Sequence, residues 1–174
     1  MKNPHADGHG CWHAVFCKPQ QDARAEENLL HQGFETFRPK TRTRKTRNGR
    51  RRNLVESLFP RYLFVRLRRQ GQDWTPIRST RGAVGLVRLG QETPIVPDFI
   101  IEDLRQRCDA QGICNLSGSI DYQPDDLVEI IDGPCAGYRA LFKARTSQER
   151  VVVLLKLLSH QRELELDDVS IRRA

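Results

Sequence analysis

The chain has 174 residues, of which 38% are hydrophobic and 29% are charged, and its formal net charge is +7. This length allows one ordinary domain or two small ones, and no apolar stretch is long enough to span a bilayer. The charge is uneven: residues 1–120 hold 21 Lys and Arg against 12 Asp and Glu (+9), whereas residues 121–174 hold 8 against 10 (−2). Such asymmetry predicts two units, of which the basic one faces a polyanion.

The sequence gives little support for a metal site, a disulfide framework or a catalytic centre. The five cysteines are odd in number and form no C-x-x-C pair, which predicts reduced, packed thiols in the cytoplasm rather than a disulfide framework or a four-cysteine zinc site. His5, His9, Cys11 and His13 could together hold zinc, but a chance grouping in a polar tail is the preferred interpretation. Because nucleophile, Walker and zincin motifs are all missing from the sequence, we expect neither an enzyme nor a cofactor.

The amino-terminal unit, residues 11–108, alternates short strands with helices. A strand at 11–17 is followed by a helix between Pro19 and Gly33 and a strand at 34–38. After a basic run come a strand at 61–67, a short helix at 74–79, a strand at 83–89 and a helix that begins at Pro97. In the strand at 61–67, Tyr62 and Phe64 lie on one face and Leu63 and Val65 on the other. This order predicts an α+β fold, an antiparallel sheet with packed helices.

The run at 38–52 contains nine basic residues and no acidic one. Asn48-Gly49 is a strong two-residue hairpin signal, so we expect two basic strands that protrude from the domain. Such an arm can bind phosphates non-specifically; a solvated loop without a ligand is the alternative. It lacks the interleaved aromatic residues that base stacking needs. Its candidate phosphate-binding residues are Arg42, Arg44, Lys45, Arg47, Arg50, Arg51 and Arg52.

The carboxyl-terminal part looks different. Residues 109–120 are rich in Gly, Ser and Asn and are predicted to be a linker. Residues 121–174 are predicted to form a second domain of five short strands, at 127–131, 139–142, 151–155, 163–166 and 170–172. Five strands in so short a segment favour a small β-barrel, which leaves few exposed edges.

Several segments in a fixed order resemble one known family. Residues 58–64 read LFPRYLF, residues 78–82 read RSTRG, and residues 124–142 read PDDLVEIIDGPCAGYRALF, which looks like a KOW motif with Gly133 and Gly137 at its turn. Together with the opening WHAVFCKPQQDARAEENL, they resemble the NusG family of transcription elongation factors, and within it the RfaH-type antiterminators.

This resemblance implies a monomeric cytoplasmic protein that binds RNA polymerase, suppresses pausing and termination, and reads the non-template DNA strand. The carboxyl-terminal domain would recruit a ribosomal protein of the small subunit. Thr75 lies where RfaH-type proteins have a His-Thr-Thr-Thr element that touches the opposite polymerase pincer, although the surrounding DWTP departs from that pattern. The implied polymerase-binding residues are Phe16, Phe59, Tyr62, Phe64 and Thr75; the implied DNA-binding residues are Lys18, Arg24, Asn28, Thr80 and Arg81.

RfaH-type proteins also have a carboxyl-terminal domain that can be either a β-barrel or a helical hairpin that masks the amino-terminal domain. A masking hairpin would pack on Phe16, Tyr62, Phe64 and the interdomain residues Ile101 and Leu104. Two features argue for the barrel as the ground state: Pro134 would interrupt the first helix, and three consecutive valines at 151–153 favour a strand.

Two other functions stay open. A housekeeping NusG-like factor would act on any template without a recruitment sequence. A ribosome-associated RNA-binding protein would combine a KOW barrel with a basic arm, since ribosomal proteins also use KOW motifs.

Overall fold

The computed structural model describes residues 10–47, 49–68, 71–115 and 146–171, with side chains in the last helix as far as Ser159. In chain order, helices separate three groups of strands, the second of which includes the two basic strands, and two helices follow the last group. The elements are β1 (Cys11–Cys17), α1 (Asp22–His31), β2 (Glu35–Phe37), β3 (Lys40–Arg47), β4 (Arg50–Ser57), β5 (Tyr62–Leu67), α2 (Pro76–Ser79), β6 (Ala83–Leu86), β7 (Ile95–Val96), α3 (Asp98–Arg107) and α4 (Ser147–Ile171).

The main sheet has β1 at its centre. Strand β5 pairs with β1 along its length, from Cys11↔Leu67 to Phe16↔Tyr62, and β2 pairs with the outer edge of β5. On the other side of β1, β6 pairs with its last residues and β7 with Trp12 and His13. All of these pairs are antiparallel, so the α+β class and the antiparallel sheet predicted from the sequence are confirmed.

The sheet buries both of its faces, and the alternation along β5 assigns each residue to one of them. Leu63 and Val65 pack in a cluster with Ala25 and Leu29 of α1. Phe64 lies on the opposite face, where Tyr62 packs beside it. The prediction that Tyr62 and Phe64 share a face is therefore confirmed. The second cluster contains residues of the sheet, of α3 and of α4, including Trp12, Ala14, Leu58, Phe59, Phe64, Ile100, Ile101, Leu104, Cys114, Leu154 and Leu158.

The basic run forms the predicted hairpin. Strands β3 and β4 make a separate two-stranded sheet, in register from Lys40↔Ser57 to Arg47↔Arg50. Gly49 in the turn has a φ of 72°, a left-handed conformation that glycine adopts without a steric penalty. Most side chains of the hairpin are exposed, which agrees with an arm that protrudes from the domain.

The prediction of a barrel is wrong for residues 146–171. The segments 151–155 and 163–166, predicted as strands, both lie in α4, as do Ser170 and Ile171. A helix places Arg150, Leu154 and Leu158 on one side, and all three are buried there. Burying a leucine contributes about 1.5–3 kcal/mol, whereas strand propensities span only about 1 kcal/mol. Packing against the sheet therefore outweighs the strand preference of the valines at 151–153.

The beginning of α4 carries a capping box. The hydroxyl of Thr146 accepts the backbone N–H of Glu149 at 3.1 Å, and the Glu149 carboxylate accepts the backbone N–H of Thr146 at 3.2 Å. These reciprocal bonds satisfy two backbone donors that a helix start otherwise leaves without partners. The Thr-x-x-Glu spacing is visible in the sequence and indicates a helix start at this position.

The cysteines depart from the sequence-based prediction at one place. Cys108 and Cys114 form a disulfide, so they are not the reduced thiols that we expected, whereas Cys11 and Cys17 keep their thiols. The residues between the paired cysteines make a tight turn, in which the backbone N–H of Gly112 donates to the Asp109 carbonyl at 2.9 Å. The predicted KOW turn residues, Gly133 and Gly137, and the strands at 127–131 and 139–142 lie outside the described residues. The linker at 109–120 stays a prediction.

Candidate functional site

An aromatic surface covers the side of the sheet that faces α3 and α4. Phe59 packs edge-to-face on Phe64, with ring centroids 5.7 Å apart, and Phe37 stacks on the same ring at 6.3 Å. Phe16 and Tyr62 lie at the neighbouring position, 5.1 Å apart. Four of the predicted polymerase-binding residues therefore occupy one continuous surface, which we call the aromatic face: Phe16, Phe59, Tyr62 and Phe64.

Helix α4 lies over part of the aromatic face. Leu154 and Leu158 belong to the same buried cluster as Phe59, Phe64, Ile101 and Leu104, and Val151 and Leu157 pack at its margin. Phe59 and Phe64 are consequently 0% exposed. The helical alternative predicted masking contacts at Phe16, Tyr62, Phe64, Ile101 and Leu104, and the last three share one buried cluster with Leu154 and Leu158 of α4.

A buried arginine joins α4 to the domain beneath it. Arg150 is only 5% exposed, and its Nε donates to the Leu58 carbonyl at 2.9 Å. Its other end donates to the Ser147 hydroxyl at 3.1 Å. Burial lowers the pKa of the guanidinium, and the nearby Glu149 carboxylate opposes that shift. A hydrogen bond from a charged donor contributes about 1.5–3 kcal/mol, so Arg150 helps to hold α4 in this position.

Beside α4 the aromatic face opens into a groove of about 780 Å³. Phe16 and Tyr62 are only half-buried here, and Leu155 of α4 also lines the groove. The Arg61 guanidinium lies 4.2 Å from the centre of the Phe16 ring, and burial raises the pKa of the Tyr62 hydroxyl. Thr75 reaches the same groove from a turn in which its backbone N–H donates to the Asp73 carboxylate at 2.9 Å.

A basic cleft lies at the end of β1. Lys18, Arg24 and Arg81 line a depression of about 430 Å³ together with Gln21 and Gly82. A close backbone contact brings these segments together, since the Lys18 N–H donates to the Gly82 carbonyl at 2.8 Å. A Cβ atom at position 82 would lie 2.8 Å from the Ala25 nitrogen, and Gly82 has a φ of 92°, so only glycine fits there without distortion.

Two of the predicted DNA-binding residues do not line this cleft. Thr80 is buried: its hydroxyl donates to the Pro76 carbonyl at 2.9 Å and receives a hydrogen bond from the Gln32 side chain at 3.0 Å. Its hydroxyl therefore holds the turn that presents Arg81. Asn28 lies one turn further along α1 than Arg24, and its side chain donates to the Arg24 carbonyl at 2.7 Å.

The basic arm is the third candidate surface. Its residues Arg42, Arg44, Lys45, Arg50, Arg51 and Arg52 are exposed. Glu56 accepts hydrogen bonds from Lys45 and Thr43, and Arg42 lies 4.0 Å from Asp109. Since these carboxylates lie toward the base of the arm, its tip carries the larger excess of positive charge.

The amino-terminal histidines form no metal centre in the part of the chain that the structure describes, where no group of three His, Cys, Asp or Glu side chains has suitable geometry. His13 is buried, with Nδ1 at 3.0 Å from the Pro94 carbonyl and its ring 5.6 Å from that of Trp74. His5 and His9 lie outside the described residues. Within the described ranges, no helix is both long and apolar enough to cross a membrane.

Sequence reasoning missed two features of the site. In the sequence, Arg150 is one of several isolated basic residues, and nothing indicates its contact. It reaches the Leu58 carbonyl only because residues 147–171 form a helix. The spacing of Cys108 and Cys114 in the sequence matches no known motif, so their bridge could not be predicted. They meet because a turn brings residue 114 back beside the end of α3.

The fold and these surfaces define a small α+β binding protein with an aromatic face, a basic cleft and a basic arm. Residues 10–105, more than half of the chain, match the family model described as "Transcription termination factor nusG". The chain therefore belongs to the NusG family.

Curated relatives resemble the chain over most of its length. The protein named "Transcription termination/antitermination protein NusG" from Deinococcus radiodurans is 23% identical, over 90% of this chain and 95% of its own. The protein of the same name from Bacillus subtilis is 22% identical, over 77% of this chain and 76% of its own. The one from Staphylococcus aureus is also 22% identical, over 90% of this chain and 91% of its own. A solved structure described as "Domain interaction in Thermotoga maritima NusG" is 20% identical and covers 52% of each chain, with a TM-score of 0.32.

Proposed function

We propose that this member of the NusG family is an RfaH-type antiterminator, which binds RNA polymerase and the non-template DNA strand and thereby suppresses pausing and termination. The observation that carries the proposal is the position of α4 on the aromatic face. An aromatic surface that is needed for docking to a large partner would be an aggregation hazard if it stayed exposed, and α4 covers its centre.

The geometry allows both partners to be bound together. The end of β1 places Phe16 in the groove, and Lys18, the residue after the strand, lies in the cleft. In the same way, Arg78 of α2 lines the groove and Arg81, in the turn between α2 and β6, lines the cleft. A polymerase surface that docks on the groove would therefore bring exposed single-stranded bases close to the cleft.

Each cleft residue suits a single strand with unpaired bases. Arg81 can donate two hydrogen bonds to a guanine edge, and Lys18 and Arg24 can neutralise phosphates on either side. Arg24 is exposed, and its Nη1 donates to the Gln21 side chain at 3.3 Å, so it can turn toward DNA at little cost. The basic arm would bind backbone phosphates beyond the cleft, with a strong dependence on salt.

The docked α4 makes polymerase binding conditional. While it covers Phe59 and Phe64, the apparent affinity for polymerase is reduced by the fraction of molecules in which the face is open. Recruitment at a specific DNA sequence would compensate for this reduction, because contacts in the basic cleft add to those on the aromatic face. Once released, the carboxyl-terminal domain would be available for a ribosomal protein of the small subunit.

Run-off transcription with purified polymerase tests the proposal. We expect Tyr62→Ala to weaken the effect on elongation on every template, because it removes part of the aromatic face. Arg81→Ala should impair mainly templates that carry a recruitment sequence. Arg68→Ala, which removes an exposed charge outside the cleft and the arm, is the matched control. Wild-type activity of both the Tyr62 and the Arg81 variant would refute the assigned surfaces.

A housekeeping NusG-like role is the second candidate, because the curated relatives reported above carry that name. A housekeeping factor would enhance elongation equally on templates with and without a recruitment sequence, and Arg81→Ala would leave that enhancement unchanged.

A further inference from the structure

The two faces of the basic arm carry different side chains. Directly opposed residues of an antiparallel pair point to the same face, and so do residues two apart along one strand. One face, which we call the Arg44 face, consists of three pairs in the register of β3 and β4: Arg42 with Val55, Arg44 with Asn53, and Thr46 with Arg51. All of these side chains are exposed. The Arg44 face is therefore a row of long or polar groups that is open to a ligand.

The acidic residue of the arm, Glu56, lies on the other face. It accepts hydrogen bonds from Thr43 and Lys45, the neighbours of Arg44 along β3. Within the described ranges, the side chains of Arg44 and Asn53 have no hydrogen-bond or ion-pair partner. Arg44 and Asn53 therefore keep their hydrogen-bonding groups available, whereas the opposite face spends part of its charge within the arm.

The dimensions of the arm suit the major groove of duplex DNA. That groove is about 12 Å wide and admits a two-stranded β-ribbon. Each strand of the arm has eight residues, which extend over roughly 25 Å at about 3.4 Å per residue. Base pairs rise by the same distance, about 3.4 Å, so the ribbon spans about seven of them. The corresponding groove of duplex RNA is narrow and deep, and side chains cannot read it.

We propose that the Arg44 face reads a base sequence in the major groove of duplex DNA, with Arg44 on a guanine and Asn53 on a neighbouring adenine. Arginine donates two hydrogen bonds to the O6 and N7 atoms of guanine, and the asparagine amide pairs with the N6 and N7 atoms of adenine. Because Arg44 and Asn53 are directly opposite each other, they would contact neighbouring base pairs. This activity goes beyond the proposed function, since it needs neither polymerase nor an unpaired strand.

The opposite face would supply the phosphate contacts. Lys45 and Arg52 form a directly opposed pair there, and long basic side chains at that level can reach the phosphates on the walls of the groove. Phosphate contacts position a protein on DNA but carry no sequence information directly, whereas base contacts do. The two faces should therefore respond differently to substitution. An arm that binds phosphates alone predicts equal effects of arginines on both faces and no effect of the uncharged Asn53.

Selection from a pool of duplex DNA randomised over about seven base pairs, with the full chain and no polymerase, tests the proposal. We expect enrichment of a sequence with a guanine next to an adenine. Arg44→Ala should reduce discrimination at the guanine about tenfold, and Asn53→Ala should do so at the adenine. The matched control Arg52→Ala should weaken binding to all duplexes equally and reduce the salt slope by about 0.9. Failure to enrich any sequence, or equal effects of the two arginine substitutions, would overturn the proposal.

A change in the DNA supplies the second test. Substitution of 7-deazaguanine for the selected guanine removes the N7 acceptor from the major groove and keeps Watson–Crick pairing. The wild type should lose about fivefold in affinity, the lower end of what a bidentate contact contributes, whereas the Arg44→Ala variant should lose nothing. An insensitive wild type, or equally tight binding of the same sequence as duplex RNA, would show that the major groove of DNA is not the site.

Arg81→Ala separates the arm from the basic cleft. Because the cleft is assigned to unpaired bases, this variant should keep the wild-type selectivity for duplex DNA even if it fails in transcription at a recruitment sequence. Loss of duplex selectivity in the Arg81 variant would place the readout in the cleft and overturn the proposal for the arm.

Discussion

Replacing both Leu154 and Leu158 by alanine is expected to release α4 from the sheet. Each substitution removes three buried carbon groups, and at about 0.8 kcal/mol per group this gives about 2.4 kcal/mol per site and about 5 kcal/mol for the pair. No cavity term is added, because the helix can leave and water can fill the space. Since 1.4 kcal/mol corresponds to a factor of ten, docking should weaken by more than about a thousandfold.

Amide hydrogen exchange across α4 measures the release. An isolated helix is marginally stable in water, so amides at 150–158 should lose most of their protection in the double variant. Val152→Ala changes an exposed position of the same helix and should leave protection near the wild-type level. If the leucine variant keeps wild-type protection in α4 while the rest of the chain remains folded, the packing account of this helix is refuted.

Three further predictions concern the rest of the chain. Gly82→Ala should lower the free energy of unfolding by at least about 1 kcal/mol more than Gly33→Ala does. Both glycines have positive φ, but only at position 82 would a Cβ meet the backbone of α1. Equal losses of stability in denaturant titrations of the two variants would contradict this prediction. Replacing Arg50, Arg51 and Arg52 by alanine should reduce the slope of log affinity for duplex DNA against log salt by up to about 2.7. The control Arg68→Ala should leave this slope unchanged. A wild-type slope in the triple variant would exclude phosphate contacts by the arm. Burial, and to a smaller extent the nearby Asp22, raises the pKa of the Cys17 thiol from 9.0 to about 12. The stability that the protonated thiol contributes is therefore complete below pH 9 and is lost as the pH rises toward 12. Cys17→Ala should remove this loss of stability, and rapid alkylation of Cys17 in the folded protein at pH 8 would refute the prediction.

Local signals were sufficient to predict the amino-terminal fold. Alternation along β5 assigned Tyr62 and Phe64 to one face, and Asn48-Gly49 indicated the turn of the arm, because both features depend on neighbours in sequence. The same reasoning failed for α4. The valines at 151–153 favour a strand locally, and the contacts that favour a helix are with Phe59 and Phe64, about 90 residues away. The Thr146–Glu149 capping box was the one local signal for a helix.

The candidate site was predictable to the extent that the family resemblance covers it. Arg81 meets Lys18 and Arg24 in one cleft although it lies far from both in sequence, and the close approach at Gly82 is what joins them. The sequence could not show that Thr80 is turned inward, because its partner Gln32, 48 residues away, meets it only when the end of α1 packs beside α2. Nor could it place Arg150 against the Leu58 carbonyl, since that contact exists only if α4 is helical.

Affinity for core RNA polymerase, measured with three versions of the full chain, tests the central claim most directly. The leucine double variant, with α4 released, should bind more tightly than the wild type because its aromatic face is open. Adding Tyr62→Ala to that variant should remove most of the gain. If the released chain binds no better than the wild type, or if Tyr62→Ala has no effect on it, then the aromatic face beneath α4 is not the polymerase-binding surface.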